Sequence, residues 1–301
     1  MISRRAFLGT LGAAGTLALW PRSSNAATFA GDIKFGYAAI TWGGNDLTAI
    51  EEVAAVGFRG IQLRSPIVQQ FGSRPSELKE LLAKHKLTMV ALSSGNVRID
   101  PAVEREEIDK HTGHAKFVRD IGGLYLQVTD ERPKRQITAD DYKRMGKLLS
   151  EIGKRTADLG IPLGYHNHMN NLGERPEEVR AVLGAADPTF VKLELDTAHY
   201  QMGGGDPVAA IKEYRSRLLF LHIKDLETPV PGATGDLSRS YRFVELGRGK
   251  VDLKGVFDAL HAINFNGWAV VELDRVPDEA RTPKESAIIC KQYLEKLGLE
   301  V

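Results

Sequence analysis

Cysteine is almost missing from this chain: Cys290 stands alone among 301 residues. One thiol excludes an internal disulfide and any cysteine-rich zinc site, and its apolar surroundings read as those of a small buried hydrophobe. An excess of charge of either sign is missing too, since 40 Lys and Arg face 39 Asp and Glu for a formal net charge of +1. That leaves no strong overall field to hold nucleic acid or an anionic membrane surface, and a small molecule is the default partner. No GxGxxG follows the first apolar β-branched run, which speaks against a dinucleotide-binding open sheet. At 43% hydrophobic and 26% charged residues, what is present has the composition of an ordinary globular protein.

The first residues read as an address rather than as fold. Ser3, Arg4, Arg5, Ala6, Phe7 and Leu8 precede the apolar run Gly9–Trp20, and Ser24, Asn25 and Ala26 then supply small residues where cleavage is expected. The run falls well short of the ~20 residues that span a bilayer, so no stable membrane anchor is expected. Residues 1–26 are therefore assigned to a twin-arginine export signal, which places the mature protein in the periplasm or otherwise outside the cytoplasm. Cargo of that route travels folded, often with a cofactor or metal already loaded.

From residue 33 onward, short β-branched runs alternate with longer amphipathic ones, the pattern of βα units around a parallel sheet. Eight strands are expected at Lys34–Ala38, Gly60–Leu63, Thr88–Leu92, Leu124–Val128, Pro162–His166, Val191–Asp196, Leu218–Lys224 and Trp268–Glu272. Helical patterns fall between and after them at Leu47–Val56, Ser76–Lys84, Glu104–Ile121, Asp140–Leu159, Glu177–Gly184, Pro207–Tyr214, Leu253–Ile263 and Lys284–Leu297. Ser76, and Asp206 before Pro207, suit helix starts. Eight such units over 33–301 match the size of a single α/β domain, a (β/α)8 TIM barrel. A partial repeat supports closure: EEVAAVGFRGIQLR around the second strand resembles DALHAINFNGWAVVELD around the eighth. The Pro- and Gly-rich stretch Leu226–Lys250 reads as a long loop, a length more often functional than idle.

Polar clusters collect at the C-terminal ends of the last four strands: Tyr165-His166-Asn167-His168, then Glu194 to His199 (ELDTAH), His222-Ile223-Lys224-Asp225 and Val271-Glu272-Leu273-Asp274. Strand alternation can turn His166 and His168 inward together, with Tyr165 and Asn167 outward. A divalent cation needs three or four imidazole and carboxylate ligands with one position left for substrate. His166, Asp196, His222 and Glu272, one from each strand, form such a set. A lone strand-end His or Asp is usually a hydrogen-bonded structural residue or a cap, but burying four such clusters together without a cation would be costly.

These motifs carry a resemblance. ELDTAH followed by GGGDPVAAI, RLLFLHIKD, FVELGRGKVDL and GWAVVELD is similar to the sugar phosphate isomerase/epimerase superfamily, the xylose isomerase-like barrels that include ketose 3-epimerases and inosose dehydratases. The likeness runs from about residue 33 to the C-terminus and is densest after 160. It implies one divalent ion, commonly manganese, cobalt, magnesium or zinc, held by a Glu on strand five, an Asp in a DTxH motif, a His on strand seven and a Glu on strand eight. Asp196, His222 and Glu272 match the last three. Strand five departs, with His166 for the Glu and His168 two residues on, an HxH similar to that of the inosose dehydratase branch.

The departure bears on the chemistry. Two facing glutamates can exchange a proton across an enediolate, whereas a histidine in one position favours elimination, with Glu272 or His168 as base and an imidazole or Lys224 assisting the leaving oxygen. The expected activity is isomerisation or epimerisation of an unphosphorylated sugar, keto-sugar or cyclitol, with a lyase or dehydratase acting on a keto-sugar, inosose or 3-keto-glycoside as the alternative. An abasic-site endonuclease-like barrel and an inactive sugar-binding barrel remain the other readings. His199 resembles the family's substrate-binding His, with orienting Asp196 as its alternative role. Glu174 reads as a substrate contact, a substitute ligand or a helix-start acid. Arg248, Tyr37 and Trp42 are candidate substrate contacts. Homo-oligomers are common among such barrels.

Overall fold

The computed structural model describes residues 32–235 and 237–301. The export signal expected over residues 1–26 lies outside the described residues. Eight parallel strands close a barrel: β1 (Ile33–Ala38), β2 (Gly60–Arg64), β3 (Thr88–Val97), β4 (Tyr125–Asp130), β5 (Leu163–His166), β6 (Val191–Asp196) and β7 (Leu218–Ile223), closed by β10 (Gly267–Val271) between β7 and β1. Between β7 and β10 the chain makes a small antiparallel ribbon of β8 (Asp225–Glu227) and β9 (Arg242–Val244). Around the barrel lie α1 (Asp46–Val56), α2 (Pro66–Phe71), α3 (Pro75–Lys84), α4 (Glu104–Ile121), α5 (Ala139–Asp158), α6 (Pro176–Ala185), α7 (Thr197–Met202), α8 (Pro207–Glu213), α9 (Leu253–Ala262) and α10 (Pro283–Lys296).

Local chemistry sets several boundaries. Asp206 caps α8 by accepting from Val208 N at 2.8 Å, with Pro207 in the first helical position as expected. Thr282 and Glu285 form a reciprocal capping box on α10. Ser76 is not a cap, because Pro75 already occupies the first position of α3. The internal repeat has a structural meaning. Gly57 after α1 and Asn264 after α9 both turn the chain at positive φ, 107° and 53°, and a Phe then leads to the Gly that opens β2 or β10.

Two differences from the sequence reading stand out. β3 runs five residues beyond the expected Leu92 because tertiary bonds hold Ser94 and Asn96, which carry no strand pattern of their own. The stretch Leu226–Lys250 is not all irregular, since the β8–β9 ribbon lies within it. Asp225, at the start of that ribbon, accepts from the backbone N–H groups of Leu226, Gly247, Gly249 and Val251 at 2.9–3.1 Å. One buried carboxylate thereby shapes the returning GRGKV segment.

Alternation sorts the side chains into two cores. Outward residues such as Ile61, Leu126 and Leu195 pack under the helices in one large apolar cluster. Inside the barrel, Ala38, Val90, Ala91, Phe220, Trp268 and Val270 make a second. Gly60 is required there: a Cβ would come within 2.4 Å of the Trp268 ring and 2.6 Å of Val90. This apolar plug is the floor on which the polar mouth of the barrel rests.

Candidate metal centre and active site

Each polar cluster is aimed by a backbone device. β5 ends at His166, and Asn167 continues the pairing by side chain: its Oδ1 accepts from Asp196 N at 3.0 Å and its Nδ2 donates to Asp196 O at 3.3 Å. Asn167 thus faces β6 instead of turning outward, while Tyr165 does point outward and donates its hydroxyl to Asp130. Asp130 also accepts from Leu172 N and Gly173 N, which fixes the loop carrying His168. Burial pushes the Asp130 carboxyl up to about 6, with Tyr165 and the loop N–H groups pulling the other way. At the end of β6, Asp196 caps α7 by accepting from His199 N at 2.7 Å. Thr197 exchanges bonds with the backbone of Lys224, 2.7 Å to its O and 3.0 Å from its N, tying β6 to β7.

These devices bring the four expected ligands to one mouth, but the four-residue group whose ligand atoms could share an ion has His199 in place of His222. His222 Nδ1 lies 3.1 Å from Glu272 Oε2 and 3.7 Å from Asp196 Oδ2. Ligand atoms of His166, Asp196, His199 and Glu272 all fall within 4.8 Å of one another, as do those of His166, His168 and His199 and those of His166, Glu194 and His222. The rings of His166 and His222 are 4.8 Å apart. His199 therefore contributes its ring to the cluster, and it is its backbone N–H that Asp196 engages.

The cluster fits a cation. Side-chain polar atoms that are buried without a hydrogen-bond partner gather here: His166 Nδ1, both oxygens of Glu194, Asp196 Oδ2 and His222 Nδ1. Orphaned buried polar atoms are costly; Asp196 Oδ2 and His222 Nδ1, 3.7 Å apart at the mouth, are ones that a positive ion would satisfy. The charges agree. Glu194, Asp196 and Glu272 are buried carboxylates, and Lys224 is the buried ammonium among them. Three buried carboxylates outnumber the one buried ammonium, and a cation would offset the excess.

Protons are shared unevenly in this setting. Burial, reinforced by the charge of His222, holds His166 well below the usual imidazole range. Burial and the Lys224 charge do the same to His199, so both rings are neutral. Burial also opposes protonation of His222, but Glu194 and Glu272 outweigh it and raise His222 well above its ordinary value. Burial pushes the Glu194 carboxyl up to about 7 against the pull of His222.

Lys224 organises the β10 side of the mouth. Its Nζ donates to Glu272 Oε2 at 3.0 Å and to Asp274 Oδ1 at 2.5 Å, and lies 3.2 Å from His199 Nε2. Burial disfavours the ammonium, but the two carboxylates overcome it and keep Lys224 charged. Phe243 from β9 roofs this corner, 4.0 Å from Lys224 Nζ to the ring centre and 5.2 Å from the His199 ring. Beside it, Arg239 bonds to Glu174 and, at 3.2 Å, to Asn170 Oδ1, so the ribbon clasps the loop after β5. A cleft of about 450 Å³ opens on this clasp, lined also by Arg132 and Arg175.

A family model for the xylose isomerase-like TIM barrel matches residues 50–292. The chain belongs to that family. It is 26% identical to an inosose dehydratase of Clostridium tetani (strain Massachusetts / E88), over 88% of this chain and 97% of the relative. Among solved structures, the IolI protein with a binding zinc atom superposes with a TM-score of 0.73 at 21% identity, covering 88% of this chain and 98% of that one. An L-ribulose 3-epimerase superposes with a TM-score of 0.70 at 18% identity, covering 88% of this chain and 94% of that one. At those identities the two structures speak for the fold alone.

Three expected substrate contacts sit elsewhere, and Glu174 lines the cleft without joining a ligand group among the described residues. Tyr37 belongs to the outer core, edge-on to Trp42 and Phe58 at 5.6 and 5.3 Å, because its position on β1 alternates toward the helices. Trp42 donates Nε1–H to Glu52 on α1 at 2.6 Å, so its polar edge is spent on that helix. Arg248 is half exposed and its ion partner is Glu245, at 3.8 Å, itself held by Arg281 and Ser286 on the α10 side. Glu174 belongs to no ligand cluster among the described residues, and it is Glu178 that accepts from the backbone entering α6. Sequence places Glu194 in the strand-end cluster but assigns it no role there, and does not single out Gln62, Arg239 or Phe243. The period of two that turns Asp196 inward turns Glu194 inward as well, one layer deeper.

Proposed function

We propose that the protein is a divalent-metal-dependent enzyme that removes a proton beside the carbonyl of an unphosphorylated keto-sugar or cyclitol, with elimination preferred to epimerisation. The observation that carries the reading is the asymmetry of the mouth. The end of β5 and the loop after it offer imidazoles, His166 and His168, while the residue after β10, Glu272, is already bonded to an ammonium at 3.0 Å. Epimerisation through an enediolate calls for two matched acid–bases on opposite faces, whereas elimination calls for one base and one donor to the departing oxygen.

His166, Asp196, His222 and Glu272 are the residues that would hold the ion, a mixed imidazole and carboxylate set that suits borderline and hard divalent ions. Manganese is our first expectation, before cobalt, magnesium and zinc; the zinc of the IolI neighbour keeps that order open to test. When bound, such an ion polarises a substrate carbonyl and stabilises the charge that builds on its oxygen. His168 Nδ1 lies 2.7 Å from Met169 O, and a carbonyl only accepts, so the ring proton sits on Nδ1 and the lone pair on Nε2. His168 Nε2 is thus the base that takes the proton. Lys224, held in register by Glu272 and Asp274, donates to the leaving hydroxyl so that it departs as water. Phe243 shields that corner from solvent.

The inosose dehydratase relative supports elimination on a cyclitol ketone. The twin-arginine signal adds the proposal that the mature enzyme works outside the cytoplasm, where unphosphorylated sugars are the substrates at hand. Product analysis tests the reaction. An inosose or a 3-keto-glycoside incubated with metal-loaded protein should lose water or aglycone and gain a conjugated ultraviolet band. An epimer carrying solvent deuterium, with no such band, would reverse the assignment.

A further inference from the structure

Glu194 and Asp196 are two residues apart on β6, so both carboxylates turn into the barrel at successive depths. Asp196 stands at the mouth. Glu194 lies in the layer beneath, with no solvent exposure, and its ion partners among the described residues are two imidazoles. Its Oε1 is 2.6 Å from His222 Nε2 and its Oε2 is 3.6 Å from His166 Nδ1. On His222 the opposite nitrogen, Nδ1, faces Asp196 and Glu272 at 3.7 and 3.1 Å. One carboxylate therefore backs two rings of the same cluster, with one oxygen for each.

Neither contact is a formed hydrogen bond, and both oxygens lack a donor. That arrangement suits either a support behind the imidazoles or a ligand of a second, deeper ion. A deeper ion would engage His166 Nδ1 and His222 Nε2. With an ion above as well, both rings would bridge two ions and give up both ring protons, beside carboxylates already crowded at the mouth. A support needs only that each ring keep its proton on the nitrogen facing Glu194. Gln62 Oε1, 2.8 Å from His222 Nε2, favours a proton on that nitrogen as well.

We infer that Glu194 is a positioning residue that fixes the ring orientation and proton placement of both His166 and His222, so that each presents a bare nitrogen to one ion at the mouth. The inference rests on the metal reading above. A carboxylate behind a metal-binding histidine is a general device for orienting the ring and raising its basicity; here a single group serves two ligands.

The test is calorimetric titration of metal-free protein with Co²⁺ and with Mn²⁺, for wild type, Glu194→Gln and Glu194→Ala, with the visible spectrum of the cobalt form recorded. Wild type should take about one ion per chain, and both variants should bind it about 10- to 100-fold more weakly with altered cobalt bands. Thermal melts of the metal-free proteins show that the variants fold, and Glu194→Gln keeps the side-chain volume. Unchanged affinity and spectrum in both variants would overturn the inference. Two ions in wild type falling to one in the variants would also overturn it, making Glu194 a ligand. No ion in wild type would instead remove the metal reading itself.

Discussion

Two buried histidine networks in this barrel invite comparison. Between β3 and α4, Ser94 Oγ lies 2.6 Å from His111 Nδ1 and 2.7 Å from His114 Nδ1, and His111 Nε2 lies 3.2 Å from Glu107. Glu107 also accepts from Arg98 and Lys110 at 2.5 and 2.7 Å. A hydroxyl that donates to one imidazole and accepts from the other completes the chain, so every group is used. Over β5, β6, β7 and β10, the same residue types leave atoms of His166, Glu194, Asp196 and His222 without partners. Buried histidines beside a glutamate look alike by composition in the two places. What separates a structural network from a binding site is whether its polar groups are satisfied within the chain.

The largest contrast should come from Asp196→Asn. Asparagine still caps α7, so the fold persists, but the ion should be lost and turnover should fall on the order of 10³-fold. Steady-state kinetics with metal analysis reads both. Full activity in this variant would break the comparison on the mouth side. His111→Ala should do the reverse, costing about 3 kcal/mol in denaturant unfolding by leaving a cavity and removing one bond each from Ser94 and Glu107, with ion affinity unchanged. A loss of ion affinity there would show the two networks to be coupled.

Acid sharpens the distinction. Burial, helped by the charges of His111 and Lys110, lowers His114 to about 4. Burial would raise Glu107, but its bonds to His111, Lys110 and Arg98 prevail and bring it to about 2. In both groups the folded state binds protons less readily than the unfolded chain. Stability is therefore full above pH ~6.5, falls as His114 is forced to protonate toward pH 4, and falls again between pH ~4.5 and 2 through Glu107. Melts against pH should show both limbs, and His114→Gln should flatten the upper one. The smallest effect is expected from Tyr37→Phe. Its hydroxyl is buried without a hydrogen-bond partner in the outer core, so stability should change by less than ~0.5 kcal/mol and turnover not at all. A clear rate loss would return Tyr37 to the site.

The barrel was legible because its signals are local. Alternation marked the strands, and helix ends such as Gly57 and Asn264 announced the turns. The inward set at His166, Asp196, His222 and Glu272 followed from the same period of two. Residues whose direction depends on partners distant in sequence were not legible. Tyr37 and Trp42 sit near the right end of β1, but only the packed helices reveal which way they face. Asp225 lies in the HIKD cluster, yet its carboxylate serves the backbone of Gly247 and Gly249, more than twenty residues on. Arg239 and Phe243 reach the site because the β8–β9 ribbon folds back over it, and their surrounding stretch carries no periodicity to show that.

Elemental analysis of the purified protein, beside the same analysis of His166→Ala, tests the central claim most directly. The account predicts about one divalent ion per chain in the first and little in the second. Protein that remains metal-free after incubation with manganese, cobalt, magnesium or zinc, or a His166→Ala variant that keeps its full complement, would contradict it.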